Sequence, residues 1–440
     1  MMIQSKPKTP LNNPLILANL HEMSNLQPPI SIYIHIPFCK HRCAYCDFNT
    51  YANQEDSIPA YVNALIKEIE FVGSQTNSTI KTIFFGGGTP SLLSSGQFDS
   101  ILSALSSSFN ISPDAEITIE ANPGTVSNEK LDSIRKAGIN RISFGVQSAN
   151  AEELRMLERE HNFFDVIEAV SSARKAGFDN LNLDLIYGLP EQTLSTWQTT
   201  VKRVLDLHPE HISAYALTLE HGTPFGKWAE KGLLPLPNPD LAADMYEWTC
   251  EYLSQSGYAQ YEISNWARTV TSHKSQVDLR PLTFDLQPDF ACQHNLQYWK
   301  SLPYLGLGAG AHGYINGIRY SNVLRIKTYI ERLSDSQFPN LEYPLSPATV
   351  NYKKQNLQEN MSDYMLNNLR LVNAGVAESD FHLRFGSGLL DVYQKEIEVL
   401  IKDGLLEMQT SEFSENSEVY VRLTKRGRLL GNQVFIKFVE

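Results

Sequence analysis

The residues best equipped for chemistry stand close together. The run Cys39-Lys-His-Arg-Cys43-Ala-Tyr-Cys46 places three of the chain's five cysteines within eight positions. Thiolates at this density bind soft metals and iron–sulfur clusters. Three sulfurs suit a [4Fe-4S] cluster with one iron left open to a substrate or cofactor. A structural zinc ion wants four ligands, and the candidates for a fourth here are His35 and His41. Cys250 and Cys292 are isolated. An odd, sparse count is not a disulfide framework and fits a reducing compartment.

Further polar groups fall at the ends of strand-like segments. Gly86-Gly87-Gly88-Thr89-Pro90 follows "KTIFF" (81–85). Glycines there permit close backbone approach to a ligand, although they also make ordinary turns. Glu120 closes "EITIEA" (116–121), Gln147 follows "RISFGV" (141–146), and Asp184 lies within "LNLDLIYG" (181–188). A carboxylate in so apolar a strand is costly to bury unless it is paired or faces a cleft. Internal hydrogen bonds would explain any one of these residues; three at equivalent strand ends favour a cleft, because parallel α/β folds carry their sites there.

The elements that must position these groups follow from periodicity. "SIYIHI" (31–36) and "HISAYALT" (211–218) complete a set of six β-branched strands. Helical spacing covers 58–72, 127–137, 164–176, 193–206 and 240–256. Ser127 sits as a helix cap, Thr193 starts the segment 193–206, and Gly138 and Gly177 are helix stops. Six strand–helix units in succession imply a parallel sheet with crossover helices, as an open doubly wound sheet or a barrel. Residues 268–292 have no clear period and read as a long loop or insertion. Residues 304–314 are rich in Gly and Ala and allow close backbone approach. Helices over 361–373 and 387–403, strands in "GLLEMQ" and "VYVRLT" about a turn at 414–417, and a helix from 424 suggest a winged-helix-like C-terminal domain.

Composition bounds the function classes. The 440 residues are 42% hydrophobic and 20% charged, ordinary globular usage that excludes a disordered chain or a fibre. With 37 basic and 49 acidic residues the net charge is −12, so a whole-chain basic footprint for nucleic acid is missing. No run of ~18 apolar residues offers a membrane span. Residues 1–29 lack the apolar run of a signal peptide; they read as a flexible leader on a cytoplasmic protein.

The C-x3-C-x2-C spacing behind a strand resembles the signature of the radical S-adenosylmethionine (SAM) superfamily. That resemblance implies a partial (β/α)6 TIM-like barrel with the cluster in the loop after the first strand. It implies an open iron chelating SAM, and an electron from the cluster cleaving a C–S bond. It also implies metal ligation by Cys39, Cys43 and Cys46. SAM contacts are implied for Tyr33, Tyr45, Gly87, Gly88, Thr89, Glu120, Gln147, Arg159 and Asp184. Together "IHIPFC", "GGGTPS", "EANPGT", "RISFGVQS" and "LIYGLPEQT" are similar to oxygen-independent coproporphyrinogen III oxidases and their relatives, over about residues 30–440.

Two branches of that group are in play. The oxidase usually carries another cysteine two residues after the third, whereas this chain reads Cys46-Asp47-Phe48. The oxidase also has a longer N-terminal arm than the roughly 30 residues found here. The other branch, the HemW-type heme chaperones, carries H-N-x-x-Y-W, which this chain matches at His294-Asn295-Leu296-Gln297-Tyr298-Trp299. Neutral imidazole is an axial ligand of heme iron, and on a helix His294 and Tyr298 share a face. Cys292 is an alternative thiolate, and a His–Asn pair also serves as an ordinary core hydrogen-bonding unit. The resemblance thus implies a heme chaperone that binds heme, with His294 as ligand, together with a [4Fe-4S] cluster and SAM. Its implied partners are respiratory membrane proteins that accept heme, an electron donor and a second copy of the chain. The alternative is a radical SAM oxidase of porphyrin biosynthesis. The expected organisation is a leader at 1–29, a core at 30–265, an insertion and heme-site segment at 266–345, and the C-terminal domain at 346–440.

Overall fold

A computed structural model describes residues 29–269, 287–334, 341–411 and 418–439. The expected leader, most of the 268–292 insertion and the turn at 414–417 lie outside the described residues. Six parallel strands stand side by side in chain order: β1 (Ile30–Ile36), β2 (Thr79–Gly87), β3 (Asn110–Ala121), β4 (Arg141–Gln147), β5 (Leu181–Tyr187) and β6 (His211–Ala216). Their registers are parallel throughout. Crossovers run through helices α1 (Ile58–Gly73), α2 (Ser95–Ser108), α3 (Asn128–Lys136), α4 (Phe163–Lys175) and α5 (Leu194–Leu205), and α6 (Pro239–Gln255) follows β6.

Local chemistry sets these boundaries. Ser127, Asn162 and Thr193 accept backbone N–H groups of the first turns of α3, α4 and α5. Gly138 and Gly177 follow α3 and α4 at φ +112° and +85°, where a Cβ would be disfavoured. Helix α2 is not foreshadowed by the pattern of residues 81–121, because its serine-rich sequence masks an apolar stripe at Phe98, Ile101, Leu102 and Leu105. Strands and helices share one core, in which Ile32, Ile34, Phe85, Ile119, Phe144 and Trp197 are fully enclosed. Each such side chain contributes about 1.5–3 kcal/mol by leaving water.

The sheet continues past both ends of the six. Beyond β6 lie antiparallel β7 (Tyr258–Glu262) and β8 (Asn265–Arg268), in the order β6-β8-β7. On the β1 side, β9 (Tyr304–Leu307) pairs with β1 in parallel. It is followed by antiparallel β10 (His312–Ile315), β11 (Ile318–Asn322) and β12 (Thr349–Lys354). The Gly/Ala-rich run 304–314 therefore contains a seventh parallel strand. Its glycines hide the strand from periodicity, yet the packing demands them: a Cβ on Gly306 would lie 1.9 Å from the His312 carbonyl.

A separate hydrophobic cluster forms in the C-terminal region around Met365, Leu369, Phe381, Ile397, Leu400 and Val421. It is built from α8 (Leu357–Asn368), α9 (Glu378–Phe385), α10 (Leu389–Lys402) and a three-stranded antiparallel sheet. The helix expected over 361–373 starts earlier, where Asn356 and Glu359 form a capping box; α9 was not expected at all. No helix among the described residues is long and apolar enough to cross a membrane.

Candidate cluster and cofactor site

A cleft of about 440 Å³ opens at the carboxyl ends of the parallel strands. Its lining includes Cys39, Cys43, Cys46, Tyr45, Gly87, Gly88, Thr89, Glu120, Gln147, Arg159 and Asp184. The cysteine loop leaves β1 at Pro37, pairs Phe38–Cys39 with Tyr51–Ala52, and turns where Cys46 N–H meets Cys43 C=O at 3.1 Å. Each sulfur meets a polar group from a different neighbour. Thr89 Oγ1 donates to Cys39 Sγ at 3.6 Å, Arg159 Nη1 donates to Cys43 Sγ at 3.7 Å, and Thr50 Oγ1 lies 3.9 Å from Cys46 Sγ. Burial pushes the Cys39 thiol up to about 11 and raises that of Cys46. A bound cation reverses that balance, because ligation removes the thiol proton.

The neighbouring histidines are engaged elsewhere. His35 Nε2 donates to Asn49 C=O at 2.9 Å, leaving Nδ1 to accept the Tyr33 hydroxyl at 3.0 Å. His41 Nε2 pairs with Glu158 at 3.1 Å. Among the described residues no three His, Cys, Asp or Glu side chains are grouped closely enough to hold a single metal ion. A cube needs no such gathering, since each thiolate takes its own iron.

Two half-buried carboxyl groups face the same cleft. Glu120 accepts the Gly87 N–H at 3.1 Å. Burial, and then the Asp184 charge, push its carboxyl up to about 8. Asp184 accepts from Ser143 Oγ at 2.7 Å and Asn182 Nδ2 at 2.8 Å. Arg159 is half-buried opposite, with Nη2 donating to Gly145 C=O at 2.8 Å and to Asn122, and with its enclosed Nε unpartnered. Such a cleft suits a ligand carrying both donors and an anionic group. Gln147 closes β4 at φ +67°, a strained conformation for a residue with a side chain. The glycine run serves the protein's own packing: a Cβ on Gly87 would lie 2.4 Å from the His35 ring, and one on Gly88 would lie 2.5 Å from Phe38 C=O.

Comparison with known proteins gives this geometry a family. Residues 33–204 match the Radical SAM superfamily. A Bacillus subtilis protein described as heme chaperone HemW is 37% identical over 93% of this chain and 99% of its own length. The Lactococcus lactis heme chaperone HemW is 36% identical over 94% and 98%. The solved Escherichia coli coproporphyrinogen III oxidase (HemN), a radical SAM enzyme, superposes with a TM-score of 0.75 at 25% identity, covering 96% of this chain and 93% of that one. The chain belongs to the HemW family. Its fold is the TIM-like radical SAM barrel of that superfamily.

Two expected site residues, Tyr33 and His294, are not brought into the cleft. His294 lies on α7 (Gln293–Trp299), against the amino-terminal part of the sheet. Glu116 accepts the N–H groups of Gln293 and His294, each at 3.1 Å. His294 Nδ1 is 2.7 Å from Thr82 Oγ1 and Nε2 is 2.9 Å from the Tyr298 hydroxyl. The ring stacks on Phe84 at 5.0 Å, with Tyr33 beside both. Burial pushes the imidazole down to about 3, so it is neutral at ordinary pH. Cys292 is also buried, its thiol pushed up to about 12.

Tyr298 also lines a second cavity of about 230 Å³, shared with Trp299, Tyr304, Tyr314, Arg319 and Arg384. Asn122 is a further site residue, absent from the sequence expectations: its Nδ2 donates to Thr89 Oγ1 at 3.1 Å and its Oδ1 accepts from Arg159. The available signal was its place in "EANPGT", two residues after Glu120.

Proposed function

We propose that this chain is a heme chaperone that binds heme, holds a [4Fe-4S] cluster on Cys39, Cys43 and Cys46, and takes SAM into the cleft beside it. One observation carries the reading. All three thiols share a cleft with half-buried carboxyls and a half-buried guanidinium, in a HemW-family chain that has Phe48 where the oxidase usually has a cysteine. Held there by Cys39, Cys43 and Cys46 and reduced by an electron donor, a cluster would supply the electron for cleavage of a SAM C–S bond. The chain's own residues do the rest. Thr89 and Arg159 stabilise ionised sulfurs, Arg159 receives an anionic carboxylate, and Glu120 and Asp184 accept from amino or hydroxyl groups.

Heme enters this reading through His294, whose Nε2 meets the hydroxyl of Tyr298, a residue that lines the second cavity. The rings of Tyr298, Trp299, Tyr304 and Tyr314 with Arg319 and Arg384 suit the edge of a flat macrocycle bearing carboxylate arms. The recipients are respiratory membrane proteins, the compartment is the cytoplasm, an electron donor serves the cluster, and the homodimer is the assembled form.

The test is an anaerobic heme titration of cluster-loaded protein, with and without SAM. Stoichiometric heme binding without turnover is expected. Absence of heme binding overturns the reading. The similarity to coproporphyrinogen III oxidase supports a second reading, and carbon dioxide release from coproporphyrinogen III would establish it.

A further inference from the structure

The turn between β9 and β10 does not line the cleft, yet it touches the cysteine loop where that loop ends. The chain passes through Gly308 at φ +101° and Gly310 at φ +82°. Asn49, three residues beyond Cys46, donates from Nδ2 to Ala309 C=O and to Leu324 C=O, each at 3.1 Å. Its own carbonyl accepts His35 Nε2–H at 2.9 Å. A Cβ on Gly310 would lie 2.4 Å from Asn49 Nδ2, so only glycine lets the two segments meet this closely.

The turn is held from beneath as well. Tyr61 accepts the Ala309 N–H at 2.9 Å and donates to His35 C=O at 2.7 Å. The fully enclosed carboxylate of Glu68 takes four donors: Gly308 N–H at 2.8 Å, Asn322 Nδ2 at 2.8 Å, Tyr329 hydroxyl at 2.6 Å and Ser346 hydroxyl at 2.6 Å. A buried carboxylate this well satisfied makes a rigid anchor.

We infer that Asn49 and Gly310 form a latch through which segment 304–324, anchored on Glu68, sets the conformation of the cysteine loop. Asn49 is thus a positioning residue for the three thiols. The consequence for a cluster rests on the function proposed above; the latch itself acts on the thiols whether or not metal is present.

The experiment uses the full chain with Asn49→Ala, the isosteric Asn49→Asp, which keeps the shape and removes both donated bonds, and Gly310→Ala. In metal-free protein, iodoacetamide alkylation is followed at each cysteine by mass spectrometry, with Cys250 and Cys292 as internal controls. Two lost hydrogen bonds at ~0.7 kcal/mol each predict alkylation about tenfold faster at Cys46 and its neighbours, with the two controls unchanged. Anaerobically loaded variants should lose cluster absorbance to a chelator about tenfold faster. Folded Asn49 variants with unaltered rates in both assays overturn the latch, and so does equal acceleration at all five cysteines. Should Gly310→Ala fail to fold, the half-buried Asn49 carries the test. If wild-type protein takes up no cluster, the function proposed above fails while the alkylation result still decides the latch.

Discussion

Arg159 donates to the Cys43 sulfur at 3.7 Å from 116 positions further along the chain. Its hydrogen bonds include those to Gly145 C=O, Asn122 and that sulfur, and its Nε has no partner. A half-buried guanidinium with an enclosed, unpartnered Nε is costly without an anion beside it, so this site is prepared for negative charge, whether thiolate or ligand carboxylate.

Arg159→Lys keeps the charge and loses the planar fork. We expect SAM affinity, measured by equilibrium dialysis on loaded protein, to fall about 10–100-fold, the loss of roughly one or two charge-assisted bonds. Wild-type affinity would remove Arg159 from the binding site.

Replacing Cys39, Cys43 or Cys46 with Ser should abolish the brown absorbance near about 400 nm after anaerobic reconstitution. Cys250→Ser and Cys292→Ser should retain it. Iron and sulfide retained in the triple variant would refute the ligand assignment.

Glu120 ties stability to pH. Its carboxyl sits at about 8 in the fold against an ordinary 4.5. The native state therefore holds an extra proton between those values, and the associated stability is complete below pH 4.5 and lost as pH rises through 8. His294 has the opposite sign: it is lowered from 6.5 to about 3, so its contribution is complete above 6.5 and lost as pH falls towards 3. Urea titrations of metal-free protein should show both slopes. Glu120→Gln should flatten only the alkaline one and weaken SAM binding about tenfold.

His294→Ala removes an enclosed ring with two hydrogen-bonded nitrogens, and should cost about 2–4 kcal/mol in denaturant titrations. Tyr298→Phe separates packing from ligation. It keeps the ring and frees Nε2, so a heme Soret band that depends on His294 should strengthen or shift. An unchanged spectrum would place the heme ligand elsewhere.

Much of this molecule is legible in local pattern. Alternating apolar residues and capping signals such as Ser127 and Thr193 depend on near neighbours, so they declare strands and helices without the fold. The rule that parallel strands present their carboxyl ends together then gathers Cys39, Gly87, Glu120, Gln147 and Asp184 at one rim. Other features depend on distant contacts. Segment 304–307 becomes a strand because β1 offers an open edge, and its glycines are chosen by the backbone they touch rather than by a periodic pattern. The place of His294 is likewise a tertiary outcome. Glu116, 178 positions earlier, caps the start of its helix, and Thr82 and Tyr298 occupy its two nitrogens. The H-N-x-x-Y-W motif specifies which side chains share a helix face, but only the completed sheet decides that this face is buried away from the thiols, because a seven-residue helix has no stable position of its own until the strands around it exist.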